Sequence, residues 1–332
     1  MQSKNFFFIL LLLFSQTAIA TDYYCDPVNG SFNNNGLSAN AAWPDLESVL
    51  KSKSFSGGDV VYLMSGNHGS PVISAKNSTD VVITRHSNET PVVKTIRFSG
   101  ASHWKLKNVE ITTEGARVPA NPPLSHPVYP LRQNSLVQII NNSSFITISD
   151  CYIYSIENSS EWTKDDWNYK AWNGIYNTDN SDVTIRNCHI KNINFAIHNT
   201  SSCSNHLYEN NDIENFSGDG LRGHGTNTVI RYNTVKNAYN TNGNHDDLVQ
   251  AFQGNQVGLV LRGNKFLAWT DPDQPFKSSC QGIGFFDGIY HDFIIENNVV
   301  ATTHWHGITL LGAENCTIMN NTVIDIDNTD GS

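Results

Sequence analysis

Asn187-Cys188-His189-Ile190, Asn210-Asn211-Asp212-Ile213, Tyr232-Asn233-Thr234-Val235, Gly263-Asn264-Lys265-Phe266, Glu296-Asn297-Asn298-Val299 and Asn320-Asn321-Thr322-Val323 share one pattern, and reading it decides the fold. The last residues of these units are separated by 23, 22, 31, 33 and 24 positions. A period of this size that tolerates insertions is what stacked coils produce, because each coil buries its apolar side only against neighbours above and below. A second apolar column lies between the units: Ile175, Ile197, Leu221, Val249, Ile283 and Ile308. Both columns are rich in β-branched residues and flanked by Asn, Gly and Asp, so they predict short strands joined by turns. The fold class is all-β, a parallel β-helix solenoid.

The start of the chain reads as a secretory signal (residues 1–20). Lys4 is its basic start, Phe6 to Phe14 its apolar core and Ala18-Ile19-Ala20 its small-residue cleavage site. That core is too short for a membrane anchor, so a secreted or periplasmic protein is expected. Residues 21–332 are expected to form one β-helix domain, with 21–65 as N-terminal cap and first strand. The net charge of −10 gives no support for a nucleic-acid partner, and a polyanionic ligand would need a local basic cleft or a bridging cation. Of the six cysteines, Cys151 and Cys188 fall in one column of successive coils. Coils stack about 4.8 Å apart, so a disulfide and a pair of stacked thiols are both open.

Along the chain, Trp43-Pro44 followed by Leu46, Val49 and Leu50 predicts a short amphipathic helix that caps the open end of the solenoid. Gly58 to Leu63 reads as the first strand. Val81–Thr84, Val93–Phe98 and Trp104–Ile111 continue into less regular coils, and Pro119–Pro130 reads as a surface loop. No closing cap follows Val323, so a partner or a further segment is expected over that end.

The insertions are informative. From first column to second the chain takes 22, 7, 8, 14, 17 and 9 residues, whereas the return path stays between 14 and 17. All growth is therefore at one turn, which raises a wall on one side. The wall carries Trp162, Trp167, Tyr169, Trp172, Tyr239, Trp269 and Phe276, either as faces for sugars to stack on or as packing between loops. Beside it, Asn173, Phe195, Asp219, Asp247, Gln281 and His306 stand two positions before the second column. Tyr176, His198, Arg222, Gln250, Gly284 and Thr309 stand one position after it. Asp219, Arg222, His224, His245, Asp247, Gln250, Lys277, His304 and His306 are thus predicted to share one patch, with Trp172, Trp269 and Trp305 facing the same groove. Simpler roles are open too: Asp219 and Asp246-Asp247 as turn residues, His304 and His306 as exposed loop residues. A metal held by His245, Asp247, His304 and His306 is chemically admissible but has no established spacing behind it.

The chain resembles the pectin-lyase-like right-handed β-helix superfamily of secreted, often bacterial, polysaccharide-active proteins. The resemblance rests on Tyr23-Tyr24-Cys25-Asp26-Pro27 through Trp43-Pro44-Asp45-Leu46, on Gly58-Asp59-Val60-Val61-Tyr62-Leu63, on the Asn-x-x-Ile/Val repeats, and on His245-Asp246-Asp247-Leu248-Val249-Gln250. The last is similar to a His-x-Asp-Gly-x-Gln element of bacterial members, with Leu248 in place of the glycine. The resemblance implies a single-stranded right-handed coil and a polysaccharide substrate. It implies first a lyase acting on a uronate-containing glycan by β-elimination, with calcium as the possible cofactor of such lyases. The uronate carboxylate would be neutralised by Arg222, with Gln250 or a cation held by Asp219 and Asp247. His245 or His304 would remove the proton, and Lys277 would protonate the leaving oxygen. Two alternatives stay open. One is an inverting, polygalacturonase-like hydrolase using Asp219 and Asp247 or Asp246; there Asn177-Thr178-Asp179, Gly223-His224-Gly225 and Asp246-Asp247 occur in another order. The other is a glycan-binding surface protein without catalysis.

Overall fold

The computed structural model describes residues 20–118, 134–200, 202–223, 225–241, 245–251 and 254–326. Residues 1–19 of the expected signal (1–20), Pro119–Pro130, His224 and residues beyond 326 lie outside them. Among the described residues the coils lay strands on three long parallel sheets, and three later coils add a short fourth sheet of Gln256–Val257, Tyr290–His291 and Ala313–Glu314. Sheet I has 11 strands, from Asp22–Cys25 to Thr317–Met319. Sheet II has 10, from Gly66–Asn67 to Thr322–Asp325, and sheet III has 9, from Val72–Ile73 to Ile308–Leu310. A coil runs III, I, II, as in Asn173–Asn177, Asn180–Arg186 and His189–Ile193. No helix among the described residues is long and apolar enough to cross a membrane.

The second column is in register throughout: Ile175, Ile197, Leu221, Val249, Ile283 and Ile308 pair in succession on sheet III. The first column on sheet II runs Ile190, Ile213, Val235, Phe266, Val300 and Val323, so Val300 replaces the expected Val299. The corner geometry explains the slip. In each doublet the first residue takes a left-handed conformation, with φ of 55° at Asn210, 56° at Asn297 and 53° at Asn320. Asparagine tolerates that region because its short side chain bonds locally. The second residue of the doublet turns inward, and the column residue follows two positions later. Glu296 lies one place ahead of that frame.

The inward amides build a ladder. Asn211, Asn233, Asn264 and Asn298 each donate both the main-chain N–H and Nδ2 to Oδ1 of the next asparagine, at 2.9–3.0 Å, ending on Asn321. Their Nδ2 groups also reach carbonyls of the preceding coil, as from Asn233 to Tyr208 at 3.0 Å. Cys188 continues the ladder, its N–H donating to Asn211 at 3.0 Å, and all six cysteines stand as thiols. Burial pushes the Cys151 thiol well up, and Cys188 beside it adds to the shift.

At the N-terminal end the helix Leu46–Leu50 buries Leu46 and Val49, and Asp45 caps it by accepting from the Ser48 N–H at 2.9 Å. The first strand is Asp22–Cys25, which pairs with Val60–Leu63 and so precedes the strand expected to be first. Val93–Phe98 is not one strand but parts of two, Pro91–Val93 and Ile96–Ser99. Trp104–Ile111 likewise splits into Ser102–Lys107 and Glu110–Thr112 around a left-handed Asn108. Apolar residues continue across these corners, which hides the break from a reading of pattern alone.

Every variable insertion lies between sheets II and III, as between Tyr154 and Asn173, Ala238 and Asp247, or Leu267 and Gln281. The first of these holds a helix, Lys164–Lys170, opened by a capping box of Thr163 and Asp166. Its Trp167 is buried, stacks on Tyr239 at 4.6 Å and packs with Trp162, Ala171 and Phe276. Four of the wall aromatics therefore bind the loops to one another rather than offering a face to a ligand.

Candidate functional site

The candidate site lies where the loops re-enter sheet III. Ser217-Gly218-Asp219-Gly220 makes a tight re-entry. A Cβ on Gly220 would meet Val235 Cγ1 at 2.4 Å and the Leu248 carbonyl at 2.8 Å, so only glycine lets the chain pass and aims Asp219 beside the next strand. The Asp247 N–H donates to Asp219 Oδ1 at 3.1 Å, and Arg222 Nη1 donates to Asp219 Oδ2 at 2.9 Å. The Arg222 guanidinium lies 4.9 Å over the Phe195 ring. Arg222 and Gln250 are direct neighbours in register on the outer face.

Asp219 and Asp247 are 1% and 0% exposed, and Asp246 is also buried. Neither carboxylate oxygen of Asp247 has a hydrogen-bond partner among the described residues. Burial first, then the charges of Asp219 and Asp246, push the Asp247 carboxyl up to about 9 against the pull of Arg222. Burial raises Asp219 only to about 6, because Arg222, the Asp247 N–H and His245 oppose it. Asp246 is raised well above the carboxylate range by burial, with Ser278 opposing and Asp219 adding. Two neighbouring carboxyls are thus separated by their surroundings into a proton holder and a group that ionises near neutrality.

Histidines rim the carboxylates. His304 and His306 stack at 5.0 Å, the His306 N–H donates to His304 Nδ1 at 3.1 Å, and His306 Nδ1 lies 3.0 Å from Thr309 Oγ1. Partial burial, then His306 and His245, holds His304 below the usual imidazole range. His245 is exposed and close enough to act on both Asp219 and His304. Trp305 is 83% exposed, with its ring 4.3 Å from that of His304.

Asp219, Arg222, His245, Asp247, Gln250, His304, His306 and Trp305 therefore come together on one face. Three expected members, Lys277, Trp269 and Trp172, are placed otherwise. Lys277 donates from Nζ to the Pro272 carbonyl at 2.7 Å and covers Trp269 at 5.0 Å, so the two occupy each other. Trp172 is buried against the core, donates from Nε1 to the Ala116 carbonyl at 3.0 Å, and borders a different cleft. His224 lies outside the described residues. Phe195 and Gln281 belong to the cluster but were not singled out for it, and Asp246, read as an alternative to Asp247, is buried in it. Phe195 and Gln281 stood in the same file as Asp219, which was the available signal.

Among the described residues, the one group of three or more His, Cys, Asp or Glu with ligand atoms within 4.8 Å of one another is His189, Asp212 and Glu214. It lies on sheet II and is bridged by Lys236, which stands 3.3 Å from Asp212 and 3.2 Å from Glu214. The ligand atoms of His245, Asp247, His304 and His306, the set read from the sequence, do not converge that closely.

No family model matches the chain, and no curated protein matches it in sequence. Among solved structures it is similar to a GH136 lacto-N-biosidase from Eubacterium ramulus, with 13% identity, a TM-score of 0.56, 92% of this chain covered and 68% of that one. It is also similar to a rhamnogalacturonan lyase, with 14% identity, a TM-score of 0.50 and 94% and 88% covered. A third is XylC in complex with xylose, with 9% identity, a TM-score of 0.51 and 91% and 70% covered.

Proposed function

From the pectin-lyase-like right-handed parallel β-helix fold that this chain has, we propose that it is an exported glycan-cleaving enzyme that hydrolyses a glycosidic bond at Asp219 and Asp247. The observation that carries this reading is the buried, unpartnered Asp247 carboxyl, raised to about 9, beside an Asp219 held by Arg222. Asp247 donates its proton to the glycosidic oxygen as the bond to the anomeric carbon breaks. Asp219, ionised, faces the developing positive charge and either bonds to that carbon or takes a proton from the attacking water. Adjacent strands lie about 4.8 Å apart, nearer the separation of retaining pairs (about 5–5.5 Å) than that of inverting pairs. Retention is therefore expected in place of the inversion read from the sequence. Trp305 is the exposed ring on which a sugar can stack.

Elimination is the second reading, favoured by one observation. The surroundings of His304 favour its neutral form, and it stands just ahead of the strand three steps along sheet III from that of Arg222, the two offering a base and a carboxylate partner to a uronate chain. The mature protein incubated with neutral and uronate-containing glycans decides between them. New reducing ends without ultraviolet absorbance, and one anomer by proton NMR, support hydrolysis. Absorbance of an unsaturated sugar on a uronan supports elimination and removes Asp247 from the role of acid. Binding without turnover on any glycan returns the protein to a non-catalytic role.

A further inference from the structure

Sheet III carries a second feature, well away from the carboxylates. A cleft of about 450 Å³ opens near its N-terminal end, lined by Val72, Lys94, Arg97, Ala116, Gln138 and Trp172 among others. Gln138 Oε1 accepts from Arg97 Nε at 2.8 Å, which sets the plane of the guanidinium, and Arg97 and Lys94 are both exposed. No carboxylate is among its described lining residues. Of the acids near Lys94, Glu47 is engaged by Lys51 Nζ and by the Ser70 N–H, each at 2.7 Å, and Glu114 lines an adjoining hollow with Lys94. In a chain of net charge −10, two exposed cations with no acid in the lining make a local anion-binding hollow.

The cleft and the candidate site share one sheet. Arg97, Gln138, Tyr176, His198 and Arg222 pair in succession along the outer face of sheet III. Four coil steps separate Arg97 from Arg222, about 19 Å at the usual spacing. Tyr176 and His198 lie on the stretch between, buried, with rings 5.4 Å apart. We propose that the Lys94–Arg97 cleft is a remote subsite for an anionic sugar residue, engaged only by chains long enough to span from it to Asp219 and Asp247. It rests on the glycan-cleaving reading, which supplies the second point of attachment. The anion is a uronate carboxylate or a sugar sulfate, which Arg97 recognises by the same paired N–H donors.

The test measures binding, so that it stands apart from turnover. In an Asp247→Asn background, affinity is measured by calorimetry for an oligogalacturonate hexasaccharide, a chondroitin sulfate hexasaccharide, a galacturonate disaccharide and a neutral xylohexaose. The proposal expects at least one anionic hexasaccharide to bind far better than the disaccharide and the neutral chain. Lys94→Met with Arg97→Gln should weaken that binding about tenfold to hundredfold without lowering the melting temperature. Whichever anionic chain binds tighter identifies the anion. Unchanged affinity in the double variant, or no binding of either anionic hexasaccharide, overturns the subsite. Charge-dependent binding in a protein that never cleaves a glycan would sink the catalytic reading and leave the cleft standing. Cleavage with affinity unmoved by the double variant would do the reverse.

Discussion

Two corners of the same coil bury stacked polar side chains, with opposite results. Between sheets I and II, Asn211, Asn233, Asn264, Asn298 and Asn321 pass hydrogen bonds from coil to coil, Nδ2 and Oδ1 both used. Between sheets II and III, Asp219, Asp246 and Asp247 are as deeply buried, yet Asp247 meets no donor. A satisfied buried amide costs little and fixes register; an unsatisfied buried acid costs stability and is retained only where something else is gained. The first corner therefore reads as structure and the second as chemistry.

The largest expected effect that would break this comparison is Asp247→Asn. Turnover should fall about 10²–10⁴-fold, as for loss of an acid catalyst, while the melting temperature holds or rises because no hydrogen bond to its carboxylate is lost. A variant that unfolds would make Asp247 structural. Next comes the core: Ile283→Ala or Ile197→Ala should destabilise by about 2–5 kcal/mol through the cavity left behind, read by urea unfolding. Asn233→Ala should cost about 1–3 kcal/mol, because it strands the Asn211 N–H and leaves Asn264 Oδ1 one donor in place of two. The folded fraction of that protein should turn over normally.

A pH series sharpens the contrast. In the unfolded chain Asp247 ionises near 3.8, whereas in the folded chain it keeps its proton to about 9. The folded state binds the extra proton across that window, so this group makes stability fall as pH rises through it. Asp247→Asn should flatten that decline, and the melting difference between variant and parent should grow from pH 5 towards pH 9. Parallel curves would mean that the carboxyl ionises freely. The smallest changes in stability belong to the rim. His304→Ala and Trp305→Ala should shift stability by no more than about 0.5 kcal/mol. Only the elimination reading has His304→Ala abolish turnover, and either reading has Trp305→Ala weaken glycan binding.

The repeat made most of the fold legible. Six in-register second-column residues follow from spacing alone, since a coil that buries its apolar side has one way to stack. The same reading slipped at Val299, because two adjacent valines satisfy the pattern equally and only the left-handed Asn297 selects between them. Of the site, the residues tied to the column by strand register were legible: Asp219, Arg222, Asp247, Gln250 and His306.

What sequence could not supply was anything depending on how the loops fold over the strands. Trp167, Tyr239 and Phe276 look like a sugar platform in order along the chain, and their packing on one another exists only in three dimensions. Lys277 looks like a proton donor until Pro272 and Trp269 occupy it. The division of labour between Asp219 and Asp247 likewise had no trace in their identity. A carboxyl's proton affinity is set by burial and by which charges lie a few ångströms away, and those distances belong to the tertiary structure. The stacking itself belonged to the sequence, because it depends only on which residues recur and how often.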